Sequence, residues 1–213
     1  MTRITMAGFA AVLALTGCAT QVDSPDPGPL AAAVRDQLAA SPTLDINGED
    51  SLVRVTTVLS GDAEGPIRSE LALQQGSLTV GVTDDGDVEL LDMAVELPDM
   101  DIHHGRIDLT LTNLRLSLTD AVVGQTVWVD GAAHAEVLAE LELSWSLLQD
   151  DGSAWPLEPQ RVGDVILDVD VTSRADGALE ADLAATRLGL LYSWSGLVEL
   201  RDLDLVLTAS ESR

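Results

Sequence analysis

Lysine is missing altogether: every cation of this 213-residue chain is an arginine, 11 in all against 36 acidic residues, for a net charge of −25. So acidic a surface repels nucleic acid and anionic lipid headgroups, which excludes basic-patch functions and leaves no nucleic-acid partner. Cysteine is nearly as scarce. Cys18 stands alone, so no disulfide forms within the chain and no thiol pair exists for redox work. One Phe, one Tyr and four Trp leave the apolar positions to aliphatic side chains. No apolar run reaches the roughly 20 residues a membrane-spanning helix needs. A Gly-x-Ser-x-Gly turn is absent, so a hydrolase nucleophile elbow has no support. The lysine-free composition, rich in Ala, Leu, Val, Asp and Gly, points to a GC-rich genome, and the acidity suits a saline habitat or a surface that stays soluble when crowded.

What is present begins at the N-terminus. Arg3 precedes an apolar run over residues 4–15, and small residues follow, which is the order of a secretory signal. Leu15-Thr16-Gly17-Cys18 closes the run and resembles the lipobox of bacterial lipoproteins. The resemblance implies cleavage between Gly17 and Cys18, a diacylglycerol on the Cys18 thiol, and acylation of the new amino group by a palmitate-like chain. Each buried CH₂ contributes about 0.8 kcal/mol, so several acyl chains hold a protein far more firmly than one myristoyl group. Ala19, in place of Asp, resembles the outer-membrane sorting signal of enterobacterial lipoproteins. The expected address is therefore the outer membrane of a Gram-negative bacterium, with a lipid-anchored domain facing the periplasm or the exterior.

Residues 18–29 hold three prolines and a glycine, and read as the lipidated cysteine and a disordered tether. Residues 30–213 are of a size for one domain. A helix is expected over residues 30–40, where Leu30, Val34 and Leu38 share a face, Pro29 occupies the first turn and Ser41-Pro42 ends it. Beyond Asp45 the apolar period changes to two. Val137, Ala139, Leu141, Leu143, Trp145 and Leu147 alternate with Glu136, Leu138, Glu140, Glu142, Ser144 and Ser146, and Val165, Leu167, Val169 and Val171 repeat the pattern. Reversals are expected at Gln75-Gly76, Asp84-Asp85-Gly86-Asp87, Asp151-Gly152 and Arg174-Ala175-Asp176-Gly177. The class is all-β: about nine antiparallel strands, mostly a meander, after one short helix.

The segment over residues 86–97 aligns without a gap on residues 196–207, and a looser third copy opens at Gly105 and closes at Leu118. In each copy the apolar parity slips once: from Val88 and Leu90 to Met93 and Val95, from Leu109 and Leu111 to Leu114 and Leu116, and from Val198 and Leu200 to Leu203 and Leu205. A slip of one residue turns the rest of a flat strand inside out. A β-bulge near Leu91-Asp92, Asn113 and Arg201-Asp202 repairs it, keeps the apolar row inward and bends the strand. Bent strands imply a curved sheet or open barrel, and a sandwich carries the same alternation. The glycine-led strands with a central Asp or Asn and alternate Leu resemble those of bacterial AsmA-type proteins over these three strands. That resemblance implies lipid carriage along a grooved sheet, with Leu109, Leu111, Leu114, Leu116, Leu118, Leu203, Leu205 and Leu207 as the apolar ligand face.

Catalytic and metal sites have little support. His103-His104 lies near Asp99 and Asp101, but adjacent strand residues point to opposite faces and share an ion poorly. Asp84-Asp85-Gly86-Asp87 lacks the alternating ligands and closing Glu of a calcium loop. His134 has no partner implied by its neighbours. Trp128, Trp145, Trp155, Tyr192 and Trp194 are of the kind that stack sugars, and equally of the kind that pack strand ends. The expectation is a non-catalytic, cofactor-free and metal-free envelope lipoprotein that binds an apolar or lipid ligand or an envelope protein. The alternative is a structural or surface interaction module with a fully packed β core.

Overall fold

A computed structural model describes residues 28–60, 65–104, 107–194, 196 and 198–211. The signal sequence, Gly17, Cys18, Ala19 and the opening Gly105-Arg106 of the third repeat lie outside the described residues. One helix, α1 (Gly28–Leu38), precedes thirteen strands: β1 (Thr43–Ile46), β2 (Leu52–Leu59), β3 (Ile67–Ala72), β4 (Gln75–Val82), β5 (Val88–Glu96), β6 (Met100–His104), β7 (Ile107–Leu118), β8 (Val122–Val129), β9 (Ala132–Leu148), β10 (Ala154–Pro156), β11 (Gln160–Ser173), β12 (Leu179–Trp194) and β13 (Val198–Ser210). The class is all-β with antiparallel pairing, as expected, but the described residues form thirteen strands and not nine. β1, β6 and β10 span four, five and three residues, too few for a period of two to stand out in a sequence.

The strands form one large curved sheet. β4, β5, β7, β9, β11, β12 and β13 follow one another in a meander, with β8 beside β5 and β9. The N-terminal strands break that order. β1 pairs with β4, Leu44 opposite Leu78, and on its other side with β13, Ile46 opposite Ala209. It thus joins the first and last strands of the meander near α1. Farther along, β13 pairs with β2 and β2 with β3. β6 pairs only with β7, and β10 only with β9, among the described residues.

All three expected bulges coincide with register shifts. The β4–β5 ladder skips Leu91 between Asp92 and Leu90, the β7–β9 ladder shifts between Thr112 and Arg115, and the β13–β2 ladder shifts between Arg201 and Asp204. Asn113 and Asp202 adopt φ of 54° and 53°, the left-handed region that short polar side chains tolerate best. Met93, Leu114 and Leu203 consequently stay inward, at 0%, 2% and 4% exposure. Two further irregularities follow the same logic. β11 shifts at Asp164, φ 56°, and β12 at Gly189, φ 107°.

Three hairpins use one device. Gly86, Gly152 and Gly177, at φ 90°, 81° and 86°, each donate a backbone N–H to the carbonyl three residues back, on Thr83, Gln149 and Arg174. This is the glycine-terminated reversal expected at those sites. Gln75-Gly76, by contrast, is no turn. Both residues lie inside β4, and a Cβ on Gly76 would stand 2.8 Å from Cδ1 of Ile46 and 2.9 Å from the Ala94 carbonyl oxygen. The glycine is there because β1 crosses close, a contact absent from local sequence.

The helix is seated on the hairpin ends. It begins at Gly28 and ends at Leu38, two residues earlier at each end than expected, because the chain tightens at Ala40 and passes into left-handed φ at Ser41 before Pro42. Ala31, Val34 and Leu38 are buried at 1% or less, whereas Leu30 is 68% exposed, so the inward face starts one residue later than expected. Three contacts set that rotation. Leu30 lies over Gly131, Arg35 donates to the Asp84 carbonyl at 3.2 Å, and Gln37 donates to the Gly177 carbonyl at 2.9 Å. The small Ala31 then permits the close seat that a leucine would prevent.

Candidate functional site

The expected ligand face divides between two strands separated in the meander by β9, β11 and β12. On β7, Leu111, Leu114, Leu116 and Leu118 are exposed by 8% or less, and Leu109 is half-buried. On β13, Leu203, Leu205 and Leu207 are exposed by 4% or less. Both rows belong to one continuous aliphatic cluster that also takes in Val34 and Leu38 of α1. Seven of the eight leucines are therefore covered by protein, and Leu109 is covered in part. Burying each stabilises the fold by about 1.5–3 kcal/mol, which the same side chain can contribute once, to the core or to a ligand.

The apolar face is least complete at the end away from α1. There Leu109, Leu111, Leu157 and Leu200 surround Trp145 and Tyr192, and the apolar slot between them, about 10 Å³, has room for no more than about one water molecule. Trp145 meets Tyr192 edge to face, centroids 4.1 Å apart and planes at 85°. The buried Nε1–H of Trp145 has no acceptor among the described residues. Trp128 packs a strand end, its Nε1–H donating to the Gly86 carbonyl at 3.0 Å, and Trp155 is exposed. Trp128 and Trp155 thus stand apart from the Trp145–Tyr192 pair, and the Trp194 side chain lies outside the described residues.

The outer surface carries the charge. Arg54 bridges Glu70 and Asp204, both at 3.1 Å, and these bonds, Glu70 first, raise its guanidinium above the usual range. Arg161 pairs with Glu140 at 3.2 Å and Arg201 with Glu199 at 3.0 Å. Arg187 instead reaches the Gly163 carbonyl at 2.9 Å and ties two irregular strands together. His103 pairs with Asp108 of the neighbouring strand at 2.7 Å, as a cross-strand contact on an exposed surface. His134 pairs with Asp170, its directly opposite residue on β11. Sequence gave no sign of that partner, which lies 36 positions away. No cluster of three or more metal-ligating side chains occurs among the described residues.

Sequence reasoning missed one place. Ile67 and Ser69 of β3 and Asp101, Ile102 and His103 of β6 line a cavity of about 230 Å³ whose remaining wall is Thr57. Thr57 is 2% exposed and its Oγ1 has no hydrogen-bond partner among the described residues. A lone threonine in the alternation of β2 carries no signal of this in sequence, because the cavity depends on where β6 comes to lie.

No protein family, curated protein or solved structure matches the chain.

Proposed function

We propose that this is a bacterial lipoprotein, anchored through acylated Cys18 to the outer membrane of a Gram-negative cell, whose β domain is a non-catalytic interaction module with a packed core. The lipobox and Ala19 support the address. The single observation that carries the module reading is the burial of Leu114, Leu116, Leu203, Leu205 and Leu207 at 4% or less within one aliphatic cluster. We read the sheet as an open barrel, linked through β1 near α1 and unjoined between β3 and β6. Its acidic exterior keeps the domain off anionic headgroups and presents it to partners.

A second reading, an apolar or lipid ligand carried as in AsmA-type proteins, is favoured by one observation: the Nε1–H of Trp145, without an acceptor among the described residues, beside the apolar slot, a donor that a ligand carbonyl would satisfy. One experiment separates the two. The full-length protein is expressed in a Gram-negative host, extracted from membranes and measured by native mass spectrometry with lipid extraction, together with Leu116→Asp. The module reading expects a membrane-bound, acylated chain without a second lipid, and loss of fold in Leu116→Asp. A copurifying lipid that Leu116→Asp releases from a still-folded sheet overturns it. A wild-type chain in the soluble fraction with an intact N-terminus overturns the anchor.

A further inference from the structure

The eight residues of β8 include no ionisable side chain, in a chain that carries 36 acidic residues. The outward row of this strand is Val123, Gln125, Val127 and Val129, and its three valines are exposed by 52%, 59% and 47%. Single apolar residues on an outward face are ordinary, but three in one row make a patch. The row ends beside α1. Val129 is opposite Ala132 across the β8–β9 turn, and the exposed Leu30 lies over Gly131 of that turn. Leu138 and Ile166, opposite each other on β9 and β11, are exposed as well, but they stand among the carboxylates of Glu136, Glu140 and Asp168.

An anchor at Cys18 decides which surface this patch meets. α1 begins at Gly28, ten residues from Cys18, and ten residues span at most about 36 Å. An acylated Cys18 therefore holds α1, and with it the α1 end of β8, close to the bilayer. Contact within such a tether is intramolecular, so a patch too small to bind two copies of the chain together is large enough to rest on the membrane. Charge narrows the surface further. Asp130 follows Val129, and Asp85 precedes Gly86, whose carbonyl accepts the Trp128 Nε1–H of the same strand; both carboxylates are exposed and repel anionic headgroups.

We propose that the outward face of β8, together with Leu30, lies on the membrane that holds Cys18, with Val123, Val127 and Val129 at the headgroup–acyl boundary of a zwitterionic phospholipid surface such as phosphatidylethanolamine. β12 and β13, beyond β9 and β11 in the meander, then face away from the lipid. This inference rests on the lipoprotein reading and gives the anchored domain an orientation.

The test places an environment-sensitive fluorophore on single added cysteines of the acylated chain, whose Cys18 has no free thiol, after reconstitution into vesicles of phosphatidylcholine and phosphatidylethanolamine. The positions are Val127→Cys and Val129→Cys on β8, with Val206→Cys on β13 and Leu188→Cys on β12 as equally apolar, exposed controls. Quenching by lipids that carry a nitroxide near the headgroup is about threefold or more stronger at 127 and 129 than at 206 and 188. Val127→Asp returns the label at 129 to the control level with an unchanged melting temperature, and Val127→Gln, milder for the strand, lowers its quenching about twofold. Phosphatidylglycerol in the vesicles weakens the contact. Equal quenching at all four positions, stronger quenching at 188 or 206, no loss in either Val127 variant, or equal contact with phosphatidylglycerol each overturns the proposal. So does protection at 127 that disappears when the protein is diluted into more lipid, which would assign the patch to a second copy of the chain. A fluorophore that also reaches Cys18 shows a free thiol there and removes the anchor and this inference together, whereas failure at β8 in a chain shown by mass to be acylated leaves the anchor standing.

Discussion

The backbone N–H of Gly189 donates to Oδ1 of Asp202 at 2.8 Å, so the irregularity in β12 and the bulge in β13 are held together by one hydrogen bond. Asp202 sits in left-handed φ and its carboxylate satisfies the donor that the disturbed ladder releases. The expected ranking follows. Asp202→Asn, which tolerates the φ and keeps an acceptor, stays near wild type, and Asp202→Gly loses the hydrogen bond alone. Asp202→Ala loses both and is destabilised by about 2–4 kcal/mol. Urea unfolding of the three variants checks the order; equal losses in all three would show that neither φ nor the acceptor matters.

Gly86 and Gly177 share nearly the same φ, 90° and 86°, but differ in surroundings. A Cβ on Gly86 would lie 2.8 Å from Nη2 of Arg35, and one on Gly177 meets nothing within 4 Å. Gly177→Ala therefore reports the backbone penalty, about 1–3 kcal/mol, and Gly86→Ala adds the displacement of the Arg35 guanidinium from its place over the turn. In the Arg35→Ala background the excess at Gly86 should vanish. A double-mutant cycle by thermal unfolding measures it, and zero coupling would place the seat of the helix elsewhere.

Leu205 is fully buried and Leu138, on the outward side of β9, is 62% exposed. Leu205→Ala is expected to cost about 2–5 kcal/mol, and Leu138→Ala to change stability by less than about 0.5 kcal/mol. Chemical unfolding of both gives the comparison. A Leu205→Ala loss as small as that of Leu138→Ala would mean that β13 does not face a packed interior.

At the β9–β10 reversal, the Ser153 hydroxyl at 2.6 Å, and after it the Ser153 backbone N–H at 2.9 Å, hold the Asp151 carboxyl below its usual range. A carboxyl depressed in the folded state adds stability that is present above its unfolded pKa and lost as pH falls through the folded one. The hairpin should therefore loosen only at pH below the ordinary carboxylate range. Ser153→Ala should move Asp151 upward toward that range, read by carbon NMR titration of the carboxyl. An unmoved titration would assign the depression to the backbone N–H alone.

The parity slips at Leu91, Asn113 and Asp202 were readable from the chain because inward burial enforces a period of two, and a strand can recover from a slip only by bulging. The aspartate–glycine reversals at Gly86, Gly152 and Gly177 were readable for an equally local reason, since their φ suits glycine far better than other residues. The proposed membrane address, too, rests on sequence alone, on Leu15 to Ala19.

Other features depend on partners distant in the chain. Whether Gly76 turns or stays in a strand is decided by Ile46 and Ala94, and the rotation of α1 by Asp84, Gly131 and Gly177. The same holds for His134 with Asp170, and for the cavity that joins Thr57 to β6. The pattern of apolar residues states which side of each strand is inward, and the sequence by itself determined that much. It does not state which strand lies opposite, because aliphatic burial is non-directional and any leucine row can cover any other. Only the tertiary structure, through the pairing of β1 with both β4 and β13, decided that these leucines close upon one another.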